Sequence, residues 1–133
     1  MRWITKEEVR KAARVGRREA LLCSIRHWVQ LTVATPDQLQ YAKKKYSSGI
    51  IGGCNIIRSG YCALCTRYNF DQRHTQACKS CRLDCLPLWR VASEAWNRRD
   101  WVVWYIVAGK VLEKLKKLYR KEYGRIPRGT LDC

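Results

Sequence analysis

The stretch Asp100-Trp-Val-Val-Trp-Tyr-Ile-Val-Ala-Gly-Lys-Val-Leu-Glu-Lys-Leu-Lys-Lys-Leu-Tyr-Arg-Lys-Glu-Tyr-Gly124 decides the fold class. Asp100 offers an N-cap, Gly124 a stop, and Pro127 bars continuation. Between them Trp101, Trp104, Ala108, Val111, Leu115, Leu118 and Tyr119 recur at helical spacing, so they share one apolar stripe. Lys110, Lys114, Lys117 and Lys121 form a second stripe, at intervals of four, three and four. A helix this long and two-faced needs other helices to bury its apolar side, and the chain offers them.

Just before it, Pro87 opens a helix with Val91, Ala92, Ala95 and Trp96 turned inward. At the other end of the chain, Thr5 and Glu8 form a capping box, and the helix they open is expected to reach about residue 33. Its second half carries Leu21, Leu22, Ile25, Trp28, Val29 and Thr32 on a buried face. Its first half is basic: Lys6, Arg10, Arg14 and Arg17 line one face, flanked by Lys11 and Arg18. Thr35-Pro36-Asp37-Gln38 starts a further helix that ends in Lys43-Lys44-Lys45, cations suited to the negative end of the helix dipole. A connection rich in serine and glycine follows, with Ser47-Ser48-Gly49 and Gly52-Gly53.

The middle of the chain reads differently. Cys62-Ala-Leu-Cys65 and Cys78-Lys-Ser-Cys81 are two CxxC hooks with twelve residues between them. A tight turn brings residues three apart together, so each hook aims two thiolates at one point. Two hooks close a four-sulfur tetrahedron, which suits one structural Zn²⁺. Four thiolates leave no open coordination position for chemistry. Cys85 is an alternative for Cys78 or Cys81, and His74 a weaker one. Residues 54–86 lack a core-forming pattern, so the metal is expected to supply folding energy there. The expected architecture is mostly α, a helical domain with an inserted cysteine-coordinated zinc knuckle. It is a single domain over 1–133, with N-terminal helices in 1–48, the zinc-binding segment in 54–86 and C-terminal helices in 87–124.

The remaining cysteines and the histidines carry less. Cys23 sits on the apolar side of the first helix and reads as a core residue. Cys133 reads as a free thiol, and Cys54 has no assigned role. His27 reads either as a buried histidine that makes a hydrogen bond or as an outer partner of a zinc thiolate. No catalytic site is expected. The chain has two histidines, no HExxH, no Walker loop and no nucleophile elbow. Tyr68-Asn69-Phe70-Asp71 with His74 only poorly imitates an HNH nuclease motif.

Charge bears most directly on the partner. The 133 residues carry a net charge of +16, from 27 Lys and Arg against 11 Asp and Glu. Self-repulsion of that size favours a polyanionic partner: nucleic acid first, then an anionic membrane surface, then an acidic protein surface. Each basic stripe is nearly pure in sign, so the expected phosphate contacts are Lys6, Arg10, Arg14, Arg17, Lys110, Lys114, Lys117 and Lys121. Six Trp and seven Tyr supply core anchors and, where exposed, stacking platforms. The opening, Met1-Arg2-Trp3-Ile4-Thr5-Lys6, is charged and has no apolar run of the signal-peptide kind. The apolar run from Trp101 to Gly109 is too short to span a bilayer, so no membrane insertion is expected. A reducing compartment fits the CxxC pairs better than a disulfide scaffold does.

Taken in order, Ser24-Ile25-Arg26-His27-Trp28, Cys62-Ala-Leu-Cys65, Cys78-Lys-Ser-Cys81, Cys85-Leu-Pro87-Leu-Trp89 and Ala95-Trp96 resemble the pattern of a group of small bacteriophage proteins. The likeness covers roughly residues 23 to 118. The chain departs from the pattern at Arg82, where proline usually follows the second hook, and in the short gap from Cys81 to Cys85. The resemblance implies a phage origin, a place in the host cytoplasm and a cysteine-bound zinc, with no established activity. It also implies that His27 and Trp28 pack against the zinc segment. The expected role is a non-enzymatic accessory protein that binds nucleic acid or a ribonucleoprotein. The alternatives are an anti-CRISPR-like inhibitor of a host defence complex that binds a host protein, and a virion component that touches DNA.

Overall fold

The computed structural model describes residues 2–47 and 86–132, and every regular element among them is a helix. These are α1 (Lys6–Val15), α2 (Arg17–Val33), α3 (Pro36–Ser47), α4 (Leu86–Arg98) and α5 (Trp101–Tyr123). The described part is therefore mostly α, as the apolar periodicities require. The expected zinc ligands Cys62, Cys65, Cys78 and Cys81, with Cys85 and His74, lie outside the described residues.

The helix starts follow local chemistry. Thr5 N–H donates to Glu8 Oε2 at 2.7 Å and Glu8 N–H donates to Thr5 Oγ1 at 3.2 Å, a closed capping box. The Thr5 N–H and the nearby Arg2 hold the Glu8 carboxyl below its usual range, against the opposing pull of burial. The stabilisation is present above the ordinary glutamate value and is lost as pH falls through the lowered one. Thr35 and Gln38 repeat the box at the start of α3, at 2.9 and 3.2 Å. Asp100 Oδ1 accepts from Val103 N–H at 3.4 Å and caps α5. Gly124, at φ 85°, ends α5 in the left-handed region that glycine tolerates best.

One expectation fails. The basic first half and apolar second half are not one helix. The chain extends at Gly16 (φ 160°, ψ 177°), and α1 and α2 meet there at a corner. Glycine costs about 1 kcal/mol relative to alanine inside a helix, so this is the weakest point of the run. The corner lets Val9, Ala12 and Ala13 of α1 and the apolar side of α2 both reach the core. A straight helix would carry α1 away from it.

α2 is the central helix. It packs against α1 on one side and α5 on another, while α4 packs on α5. Ala20, Leu21, Cys23, Ser24, Ile25, His27, Trp28, Val29 and Leu31 are all buried, so its buried surface is broader than the stripe expected from spacing. Cys23 is a core residue, as expected. Trp104 of α5 is fully buried and stacks on Trp28 at 6.2 Å between centroids; Trp96 of α4 meets Trp104 at 5.0 Å. On α4, Ala92, Ala95 and Trp96 are buried, but Val91 is exposed instead of facing inward.

The aromatic pair Trp104 and Tyr105 also ends α2. The last carbonyls of a helix have no intrahelical donor. Trp104 Nε1–H donates to the Leu31 carbonyl at 3.2 Å, and Tyr105 Oη–H donates to the Ala34 carbonyl at 2.6 Å. Burial pushes the Tyr105 phenol up, which keeps it a donor. At the N-terminus, Gln30 clamps the lead-in by donating to Arg2 O at 2.6 Å and accepting from Ile4 N–H at 3.0 Å.

α4 turns into α5 through Arg99, whose φ of 58° is the left-handed conformation that a Cβ disfavours. Asp100 N–H reaches back to Ala95 O at 2.9 Å across this turn. Arg99→Gly is expected to raise stability by about 1 kcal/mol, read as a higher denaturant midpoint at unchanged slope. A lower midpoint would show that the Arg99 side chain contributes more than its backbone costs.

Candidate nucleic-acid interface

The two basic stripes fare differently in the fold. On α1, Arg10, Lys11 and Arg14 are exposed, and Lys6 is the first residue of the same helix. Arg17 does not continue their face. The corner at Gly16 turns it toward α5, where its guanidinium grips Glu122. Nε donates to Glu122 Oε1 at 2.9 Å and Oε2 at 3.1 Å, and an Nη2 bond at 3.0 Å completes the fork. Both side chains are mostly shielded, so Arg17 is a clasp between helices as well as a cation.

Its neighbour Arg18 is exposed and makes a second tie. Arg18 Nε–H donates to Tyr119 Oη at 3.1 Å. Tyr119 is fully buried, and its ring supports Tyr123 at 5.3 Å. These two contacts join the start of α2 to the last two turns of α5. Sequence separations of 105 and 101 residues become direct bonds.

The α5 stripe is real as a surface. Lys110, Lys117 and Lys121 are exposed and Lys114 is half-buried. Lys110 and Lys121 are about 16 Å apart along the axis at 1.5 Å per residue. Lys110, Lys114 and Lys117 line an open groove together with Leu88, Ile106, Gly109 and Glu113. Glu113 takes Lys116 at 3.1 Å.

At the clasped end the charge becomes more one-sided. Arg14 and Arg18 come from the α1–α2 corner, Arg120 and Lys121 from the last turn of α5, and Arg125 and Arg128 from the tail behind it. All six are exposed. Two carboxylates of these helices are occupied: Glu122 by Arg17, and Glu19 by Arg18 at 3.9 Å. The exposed Arg18–Glu19 pair is worth little as stability, but both pairs remove local negative charge. Low-dielectric walls behind a patch of one sign focus its field toward an approaching polyanion.

Arg120, Arg125, Arg128 and Tyr123 were not among the contacts expected from spacing. Arg125 and Arg128 were visible past the helix stop at Gly124, and Arg120 in its last turn; the backing of Tyr123 by Tyr119 and Arg18 was not. His27 is buried and meets Trp28 edge-on at 6.3 Å. The expected packing of this pair on the zinc segment involves residues outside the described ones. Among the described residues no group of three or more His, Cys, Asp or Glu could hold a metal ion, and no helix is long and apolar enough to cross a membrane. The chain matches no family model, no curated protein and no solved structure.

Proposed function

We propose that this protein is a small, basic, zinc-stapled binder of nucleic acid, without catalytic activity, that grips the phosphate backbone with its clasped basic end and the α5 lysine stripe. The observation that carries the reading is the Arg17–Glu122 fork, which brings two basic segments far apart in sequence to one end of the fold. Phosphates carry no sequence code, so a surface of exposed Lys and Arg gives affinity with little base preference. In the phage setting that the resemblance implies, the ligand is nucleic acid or a ribonucleoprotein in the host cytoplasm. The double CxxC supports one Zn²⁺ held by Cys62, Cys65, Cys78 and Cys81, whose four thiolates suit a structural ion.

The test avoids Arg17, because Arg17→Glu would set a carboxylate against Glu122 and open the clasp. Arg10→Glu with Arg14→Glu, and separately Lys117→Glu with Lys121→Glu, reverse exposed charges that carry no clasp contact. Each pair is expected to weaken binding to DNA or RNA oligonucleotides by about ten-fold or more at low salt, equally across sequences. Circular dichroism should stay unchanged. Unaltered affinity in both double variants would defeat the proposal. A stoichiometric protein captured from host cells, retained after nuclease treatment and lost in these variants, would favour the inhibitor reading.

A further inference from the structure

Resting on the nucleic-acid reading, we infer that Tyr123 is a base-stacking platform and that the preferred ligand is a single strand or an unpaired end. Tyr123 is the last residue of α5 and is 39% exposed. Its ring lies against Tyr119 at 5.3 Å and 44° between planes. Tyr119 is fully buried and tied by its hydroxyl to Arg18. The exposed ring therefore has a rigid backing and loses little freedom when something covers its open side. Among the described residues Trp3, Trp28, Trp96, Trp104 and Tyr119 are in the core, and Trp101 and Tyr105 are partly buried against it. Tyr41 on α3 is also exposed, but it is not among the cations of the clasped end.

Its surroundings select the ligand. Arg18 is hydrogen-bonded to the Tyr119 hydroxyl that backs the ring, while Arg120, Lys121 and Arg125 flank Tyr123 along the chain. A solvent-exposed aromatic ring among cations is the arrangement that single-strand binders use: the cations track the backbone and the ring takes a base. A duplex offers the same phosphates but keeps its bases stacked on one another, so it cannot use the ring except at an end. The inference thus separates two contributions. Phosphate contacts bind any nucleic acid; Tyr123 adds affinity only where a base is free.

The experiment compares fluorescein-labelled oligothymidine with a closed dumbbell duplex, which has no free end, by anisotropy at low salt. Tyr123→Ala is expected to weaken oligothymidine binding by about ten-fold while leaving the duplex within two-fold, since base–aromatic stacking is of that size. Tyr123→Phe should keep the single-strand affinity, and Tyr123→Leu, similar in bulk but without a π-face, should not. Loss on both probes, loss on neither, or full activity of the leucine variant overturns the platform and leaves phosphate binding intact. If the unmodified protein binds neither probe at low salt, the nucleic-acid reading fails and the platform with it. Helical content by circular dichroism checks that each variant folds.

Discussion

Trp104→Ala is expected to cost about 3–5 kcal/mol, a large share of the roughly 5–15 kcal/mol that holds a typical domain folded. Trp104 has no exposed surface and lies between Trp28 and Trp96, so its removal leaves a cavity bounded by two rigid rings. It also takes away the donor that caps the Leu31 carbonyl at the end of α2. The two losses fall on the contact that holds α2 to α5. Trp104→Phe separates them, because it keeps much of the ring and loses the hydrogen bond, and its cost should be smaller. Chemical denaturation followed at the helical band reads both variants. A midpoint unchanged in Trp104→Ala would mean that the three tryptophans are not the centre of the core.

The second large effect concerns the metal. The purified protein is expected to carry one zinc per chain, and Cys62→Ser with Cys65→Ser to release it. Structural zinc in small modules binds with apparent free energies of order 10 kcal/mol, much of it folding energy. Loss of the ion should therefore lower the melting temperature and the solubility. The helical signal should be affected less, because Cys23 is the only cysteine in the core of α1, α2, α4 and α5 and it belongs to neither hook. Elemental analysis with a melting curve checks the prediction. A metal-free protein that melts as before, or a disulfide between Cys62 and Cys78, would contradict it.

The sequence was most readable where local chemistry decides. Thr5 with Glu8, Thr35-Pro36 with Gln38, Asp100 and Gly124 each mark a helix end that the structure places at the same residue. These signals need only neighbours within four positions. The corner at Gly16 was missed because the basic spacing of Lys6, Arg10, Arg14 and Arg17 runs on through it; the glycine weakens the helix there and the demand of the core breaks it. Val91 was misplaced for a related reason: helical spacing gives a face, but the packing of α4 on α5 decides how wide that face is.

The candidate site divides along the same line. The exposure of Arg10, Arg14, Lys117 and Lys121 follows from their spacing opposite apolar residues. The dual character of Arg17 does not, because its partner Glu122 is 105 residues away and no local pattern joins them. Nor does the place of Tyr123, which depends on Tyr119 being buried and on Arg18 arriving from another helix.

The central claim, that the clasped basic end binds phosphate, is tested most directly by the salt dependence of oligonucleotide affinity. Each phosphate neutralised releases condensed counterions, so log affinity should fall linearly with log salt. For the unmodified protein we expect a steep slope, worth about ten-fold or more between 50 and 200 mM salt. The Arg10→Glu, Arg14→Glu variant should show a shallower one. Binding whose affinity is indifferent to salt, or no binding at 50 mM, would contradict the account.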